Sequence, residues 1–387
     1  MPQPLPTGSA IGIMGGGQLG RMVAMEARRL GYRTCVLDPD PQSPAGQVAD
    51  EWIRGDVGDP DAARELGRRV QVATYEFENI PSTAVEAVES IVPVFPGSAV
   101  LRIAQHRILE KQTLSGMGFP VPRFHAVHSW EDLDQGWRSL HPPLILKTAT
   151  SGYDGRGQAV VRSLEEAATA WTRLRAACDT LLLEEFLDLA MELSVVCARD
   201  VDGRIACYPA SENRHRQGIL DVTLVPARVS FTVAQRAREL AVGITDRLRV
   251  VGLLAVEMFL TREGTLLVNE LAPRPHNSGH YTLDACATSQ FEQLVRVLCQ
   301  LPLGATDLQS PAAMANLLGD LWQADGRLDM AGALAVRGVR LYLYGKAVAL
   351  PGRKMGHLCC LAPSVERAFE HVTRARSALA GPHGGET

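Results

Sequence analysis

Residues 253–270 read LLAVEMFLTREGTLLVNE, two apolar runs separated by a polar turn. A two-residue turn at Glu263-Gly264 folds the runs into an antiparallel hairpin and sets Glu257 directly opposite Glu270 on one face. Two carboxylates about 5 Å apart repel by roughly 3 kcal/mol at an effective dielectric of about 20. A hard dication between them resolves the conflict, since facing carboxylate oxygens completed by ligand phosphates are what magnesium accepts. Protonation of one glutamate, or a slip of register by one residue, are the other ways out. The stretch LAPRPHNSGHYT follows, with Arg274, His276, Asn277 and His280 on a stiff, proline-containing segment without apolar periodicity. Polar residues beside such a pair suit substrate handling, although a lone histidine in a loop is also a common solvent-facing residue.

Upstream, PPLILK ends on Lys147 just before SGYDGRG, with Gly152, Gly155 and Gly157. A lysine at a strand end beside a glycine-rich hairpin can close over a polyphosphate; the plain alternative is a mobile loop with a solvated lysine. No GxxxxGK[ST] cradle occurs. The chain holds four lysines, Lys111, Lys147, Lys346 and Lys354, against 35 arginines, so each lysine is a candidate for a site that needs a compact ammonium. Glu184 and Glu185, after a strand at 180–183, and Glu192, which opens the next, read from spacing as surface acids.

The first hundred residues alternate strands (10–14, 34–37, 70–75, 91–95) with helices, the pattern of a parallel sheet in βαβ units. Gly15-Gly16-Gly17-Gln18-Leu19-Gly20 follows the first strand and opens a helix over 19–30, with Asp38 ending the next strand. That spacing leaves three readings open: an anion or phosphate site, a nicotinamide dinucleotide site, or tight packing. Glu76 and Glu78 in TYEFEN either face the crevice at a strand end or complement the dipole of the following helix. A helix is expected at 104–117, a boundary at Gly118-Phe119-Pro120, and further helices at 164–177 and 232–250. The last has a Thr232/Gln235 capping box and Gly252 beyond its end.

The 387 residues carry a net charge of −4, 46% hydrophobic residues and no block of Lys or Arg, which excludes a nucleic-acid binder and an anionic-membrane binder. No stretch approaches the roughly 18 to 20 apolar residues of a membrane span, and MPQPLPTGSA lacks a secretory layout, so a cytoplasmic location is expected. The eight cysteines show no metal spacing and read as reduced core residues.

Together, GGGQLGRM at 15, TYEFENIP at 74, GYDGRGQ at 152, EEF at 184, YPASENRHRQGIL at 208, VEMF at 256, NELAPRPHNSGHYT at 269, NLLG at 316 and YGKAVALPGRKMGH at 344 resemble the ATP-grasp 5-(carboxyamino)imidazole ribonucleotide synthases of purine biosynthesis. The resemblance runs from about residue 10 to residue 368. It implies an α/β chain of ATP-grasp architecture: a parallel-sheet pre-ATP-grasp domain (1–117), a small lid (118–180), a larger α+β catalytic part (181–310) and its small β-rich C-terminal part (311–387). A homodimer is implied as well. The reaction implied is ATP-dependent carboxylation, by bicarbonate, of the exocyclic amine of aminoimidazole ribonucleotide. A formate-dependent transformylase of the same superfamily and a non-catalytic nucleotide sensor are the rival classes.

By resemblance, ATP would meet Arg107, Lys147, Gly152, Tyr153, Asp154, Gly155, Arg156, Gly157, Gln158, Glu184, Glu185, Phe186, Leu187, Glu192, His215, Asn269 and Glu270. Glu257 and Glu270 would hold Mg2+. Gly17, Gln18, Leu19, Glu76, Tyr153, Asp154, Arg156, Lys346, Arg353 and Lys354 would line the ribonucleotide site, and Arg274, His276 and Asn277 the bicarbonate site, with Lys147 and Asp154 also catalytic. His106, Ser151 and Tyr342 depart from the family's usual Asp or Asn, Gly and His.

Overall fold

The computed structural model describes residues 3–150, 152, 157–322 and 326–380. Three sheets organise them. The first contains β1 (Ala10–Met14), β2 (Arg33–Leu37), β3 (Glu51–Ile53) and β4 (Val72–Tyr75), all parallel, in the order β3-β2-β1-β4. β1 is an unbroken apolar run, and β4 is interrupted only by the buried Thr74, because both of their faces are covered. Helix α1 (Gln18–Arg29) turns Leu19, Met22, Val23 and Ala27 inward. These side chains share one core with Val196 and Ala255 of the largest sheet and with Phe291 and Leu294 of the helix Gln290–Leu298. The first sheet is thereby fixed to the main body of the molecule through α1.

The expected strand at 91–95 is reduced to a single bridge between Val94 and Ala73. Pro93 and Pro96 bracket it and have no N–H to extend a ladder. The first unit continues through α2 (Pro60–Arg69) and α3 (Ser82–Glu89). The helix expected at 104–117 is α5 (Arg107–Gly116), and a separate short helix, α4 (Ser98–Ala104), precedes it. They are separated because His106 takes extended backbone and its Nδ1 accepts from the Leu109 N–H at 3.3 Å, an N-cap that starts a new helix.

A second, antiparallel sheet holds β5 (Phe124–Val127), β6 (Leu144–Thr148), β7 (Gln158–Val161) and β8 (Leu181–Glu185) in the order β5-β8-β6-β7. Helices α6 (Trp130–Leu140) and α7 (Leu164–Arg175) contribute to its core. Its last strand, β8, comes from beyond residue 180.

The third sheet has nine strands: β9 (Leu189–Arg199), β10 (Ile205–Cys207), β11 (Ser211–Arg216), β12 (Ile219–Val225), β13 (Gly252–Thr261), β14 (Leu266–Ala272), β15 (Ala312–Leu318), β16 (Val339–Leu343) and β17 (Lys354–Leu361). The order is β14-β13-β9-β11-β12-β15-β17-β16, with β10 beside β9. Helix α8 (Phe231–Arg247) starts one residue before the expected position, because Ser230 rather than Thr232 caps it and accepts from the Val233 N–H. It ends before Gly252: Arg249 takes the left-handed position at φ 49°, while Gly252 (φ 123°) opens β13, where a Cβ would come within 2.8 Å of Pro96. All eight cysteines are free, seven of them buried. No helix among the described residues is long and apolar enough to cross a membrane.

Candidate active site

The two glutamates do face each other, by a different route from the one the spacing suggests. The turn between β13 and β14 has three residues, Arg262 to Gly264, closed by Thr261 N–H to Thr265 C=O at 2.9 Å with Gly264 left-handed at φ 86°. That turn alone would offset the strands by one residue. A bulge absorbs the offset: Met258 pairs with Val268, Glu257 pairs with Glu270, and Asn269 is the extra residue. Each carboxylate has its own partner. Arg107 reaches Glu270 (Nη1–Oε2 3.1 Å) and also donates to the Gly152 carbonyl at 3.0 Å. His276 Nε2 lies 3.0 Å from Glu257 Oε1. Burial opposes ionisation of Glu257, but the His276 hydrogen bond and charge, with His215 and Arg274 further off, hold it down to about 2.

Lys147, next to last in β6, has its ammonium on Glu184, and Lys111 of α5 reaches the same carboxylate (Nζ–Oε1 2.5 Å). All three are at most 5% exposed, which rules out both the solvated-lysine reading of Lys147 and the surface-acid reading of Glu184. Burial works against the Glu184 charge, yet the two ammoniums pull its pKa down to about 2. Burial lowers the pKa of Lys147, against the pull of Glu184. Glu185 binds the Arg123 side chain at 2.8 Å, Phe186 is exposed and Leu187 half-buried. Beyond Lys147 the chain returns at Gly157, whose carbonyl accepts from Thr148 N–H at 2.8 Å; Gly157 is left-handed (φ 73°), and a Cβ there would meet the Thr148 hydroxyl at 2.6 Å. Gly152 and Gln158 line the cleft, while Ser151, Tyr153, Asp154, Gly155 and Arg156 lie outside the described residues.

The glycine-rich start of α1 is an anion site filled by the protein itself. Glu76, at the end of β4, accepts from the N–H groups of Gly17 and Gly20 (the latter 2.9 Å), and Asp38 accepts from Gly16 N–H at 2.7 Å. A side chain on Gly17 would overlap the Glu76 carboxylate. A dinucleotide pyrophosphate would need those same amides, so the nicotinamide reading falls. Glu76 therefore serves α1 and not the helix after it. Burial raises its pKa against those two hydrogen bonds. Lys346, whose ammonium donates to the Lys354 carbonyl at 2.7 Å, is lowered to about 8 by burial and by the charge of Arg353, with Glu76 opposing. Arg353 is exposed and donates to the Val348 carbonyl at 2.9 Å.

Glu78 clasps Arg274 with both oxygens (Nη2–Oε1 2.7 Å), joining the first unit to the loop after β14. Burial disfavours the Glu78 charge, but Arg274 holds it down to about 2. His276 Nδ1 shares a hydrogen bond with Ser278 at 2.7 Å, and Asn277 exchanges amide hydrogen bonds with Asn316 of β15. His280 is 1% exposed, which removes the solvent-facing reading for it. His215 and Glu192 approach to 2.9 Å.

These groups line one cleft of about 540 Å3. Gln18, Leu19, Glu76 and Lys354 are on its wall together with Arg107, Lys147, Glu192, His215, Glu257, Asn269, Glu270, Arg274, His276 and Asn277. Gly17, Glu184 and Lys346 stand behind it, bonded to the wall residues Glu76, Lys147 and Lys354, and Arg353 is not on the wall. Among the residues that escaped the sequence reading are Glu110, on the cleft wall, and Asn316, which holds Asn277 from behind it. Asn316 carried no signal beyond its place in NLLG. Glu110 did: Arg107, Glu110 and Lys111 stand at i, i+3 and i+4 and so share a helix face. Glu110 is 2% exposed, and burial and the Glu270 charge push its carboxyl up to about 8 despite Lys111, Leu271 N–H and Arg107.

Three family models cover the chain: a ribonucleotide synthetase preATP-grasp domain over residues 9–105, an ATP-grasp domain over 112–291 and a phosphoribosylaminoimidazole carboxylase C-terminal domain over 312–371. The N5-carboxyaminoimidazole ribonucleotide synthase of Bacillus subtilis is 44% identical over 369 residues, 95% of each chain. The chain belongs to the N5-carboxyaminoimidazole ribonucleotide synthase family. A crystal structure of an ADP complex of such a synthetase superposes with a TM-score of 0.91 at 41% identity, covering all of both chains. The Aspergillus clavatus synthase, solved with ADP and 5-aminoimidazole ribonucleotide, gives 0.89 at 32% identity, covering 96% of this chain and 99% of that one. As a family member this chain is an ATP-dependent carbon–nitrogen ligase with the ATP-grasp fold. Its departure at His106 leaves the local architecture intact, because the imidazole does the capping that an Asp or Asn would do. Tyr342, the other described departure, stacks on His357 (centroids 4.6 Å apart) and donates to Asp284 at 2.7 Å.

Proposed function

We propose that this cleft carboxylates the exocyclic amine of 5-aminoimidazole ribonucleotide with bicarbonate and ATP. The observation that carries the reading is the single cleft in which Glu257, Glu270 and Lys147 share walls with Glu76 and Lys354. The complex of the Aspergillus clavatus relative with ADP and the ribonucleotide supports it. Arg107, Lys147, Gly152, Gln158, Glu184, Glu185, Phe186, Leu187, Glu192, His215, Asn269 and Glu270 receive the nucleotide; Gly17, Gln18, Leu19, Glu76, Lys346, Arg353 and Lys354 receive the ribonucleotide. Arg274, His276 and Asn277 hold bicarbonate and its phosphorylated product.

A bicarbonate oxygen attacks the γ-phosphorus, a new P–O bond forms and the bond to the β-phosphate oxygen breaks, releasing ADP. Lys147 neutralises charge on the transferred group from a site that excludes water. The carboxyphosphate carbon, or carbon dioxide released from it in place, is then attacked by the amine; the C–O bond to phosphate breaks, phosphate leaves, and the amine surrenders a proton to Asp154 or His276. Holding that delocalised amine against the carbon matters more than basicity. Glu257 and Glu270 fit Mg2+: two hard carboxylates on one face, with no cage of three or more His, Cys, Asp or Glu side chains among the described residues, leave the remaining positions to phosphate and water. When bound, the ion supplies charge neutralisation of the phosphate oxygens.

We also propose four parts at 1–117, 118–180, 181–310 and 311–387, a homodimer, and a cytoplasmic location. The test is ADP formation with ATP, magnesium, bicarbonate and the ribonucleotide, omitting each in turn. Release that survives without bicarbonate or without the ribonucleotide, or that requires formate instead, overturns the substrate assignment.

A further inference from the structure

The carboxylate pair depends on one irregularity, the bulge at Asn269, and that bulge lies in β14, an edge strand of its sheet. A bulge interrupts a ladder, and a buried interruption leaves backbone groups that need other partners. Two side chains from one helical turn supply them. Glu110 Oε1 accepts from the Leu271 N–H at 2.7 Å, and Lys111 Nζ donates to the Asn269 carbonyl at 3.3 Å. The backbone is thus gripped on both sides of Glu270, whose side chain is met by Arg107 from the same turn. Lys111 also holds Glu184, the partner of Lys147. Glu110 and Lys111 are each 2% exposed, a costly place for polar side chains unless the groups they satisfy must be fixed.

We propose that Glu110 and Lys111 are positioning residues for the divalent cation, keeping the Asn269 bulge and hence the facing of Glu257 and Glu270. The inference rests on the assignment of the cation to that pair. Partners that orient metal ligands characteristically cost about 10- to 100-fold in metal affinity when removed.

The experiment uses the full chain with saturating ADP and follows Mn2+ binding by the electron paramagnetic resonance of free Mn2+. Glu110→Leu and Lys111→Met are expected to weaken Mn2+ binding by about tenfold or more, while metal-free ADP affinity of Glu110→Leu, from calorimetry, stays within about threefold. Glu270→Gln is measured alongside. If it binds Mn2+ like the wild type, the cation assignment itself falls. If it loses Mn2+ while Glu110→Leu stays within about threefold of wild type, the assignment stands and the positioning role is overturned. Glu110→Gln keeps an oxygen for the Leu271 amide and carries the test should the leucine variant fail to fold. It is expected to bind Mn2+ within about threefold of wild type, and a loss of about tenfold would overturn the backbone-holding role.

Discussion

Glu184→Gln isolates the buried charge cluster behind Lys147. In the folded protein the Glu184 carboxyl falls from an ordinary 4.5 to about 2, because two ammoniums outweigh the cost of burying it. A displacement of that size corresponds to about 3 kcal/mol of preference for the charged, paired state. The same figure follows from the opposite direction: leaving one side of a buried pair without its partner costs about 3–5 kcal/mol. Glutamine keeps the volume and removes the charge, so Lys111 and Lys147 would be left facing each other without a counterion.

Urea unfolding at pH 7 should therefore show a loss of about 3 kcal/mol for Glu184→Gln. Adding Lys111→Met should recover part of it, since one unpaired ammonium is removed, so the double variant should be less destabilised than the two singles summed. The wild-type contribution has a definite pH window. Because the folded pKa is depressed, the stabilisation is complete above about 4.5 and disappears as pH falls toward 2. A Glu184→Gln protein within about 0.5 kcal/mol of wild type at pH 7, with strictly additive singles, would refute the buried triad.

Glu270→Gln should abolish ADP formation without changing the circular dichroism spectrum; retained turnover with an ordinary magnesium dependence would remove the cation from the pair. Lys346, lowered to about 8, should lose its ammonium as pH rises through that value, so the ribonucleotide KM should climb between pH 7 and 9 while the KM for ATP stays level; Lys346→Arg should flatten the climb. His106→Asp should raise stability by about 0.5–1 kcal/mol, because a carboxylate is a better N-cap than an imidazole and also favours the helix N-terminus; an unchanged or lowered unfolding midpoint would count against the cap.

The parts of this molecule that were legible in the sequence are those set by local pattern. The apolar runs of β1, β2, β6 and β13 and the helices α1 and α7 stand where hydrophobic period places them. Helix ends were less legible, because Ser230 and Thr232 are both competent caps and only tertiary fit chooses between them. The Glu257–Glu270 pairing was reached through a wrong turn. A three-residue loop and a bulge compensate each other, and nothing local in LLVNE marks Asn269 as the extra residue; the mark is Glu110 and Lys111, some 160 residues earlier. The glycine-rich loop misled for the related reason that its acceptor, Glu76, lies on another strand. A glycine motif announces that something anionic must approach backbone closely, but not whether a ligand or the chain itself provides it.

The long-range ion pairs share a further property. Arg274 is neutralised by Glu78 from the first unit, Lys147 by Glu184 of the small sheet, and Arg107, which precedes that sheet, by Glu270 of the large one. Each of these cleft cations thus has an internal counterion. An incoming phosphate or bicarbonate competes with a protein carboxylate for that cation, and the net gain is a difference between two charge-assisted contacts rather than the whole of one. Two of the three carboxylates, Glu78 and Glu270, come from segments other than the one that carries their cation, so the positions of the three sheets enter that difference directly. That is why changing Glu78 or Glu184, each the counterion of a cleft cation, should alter ligand affinity as well as stability.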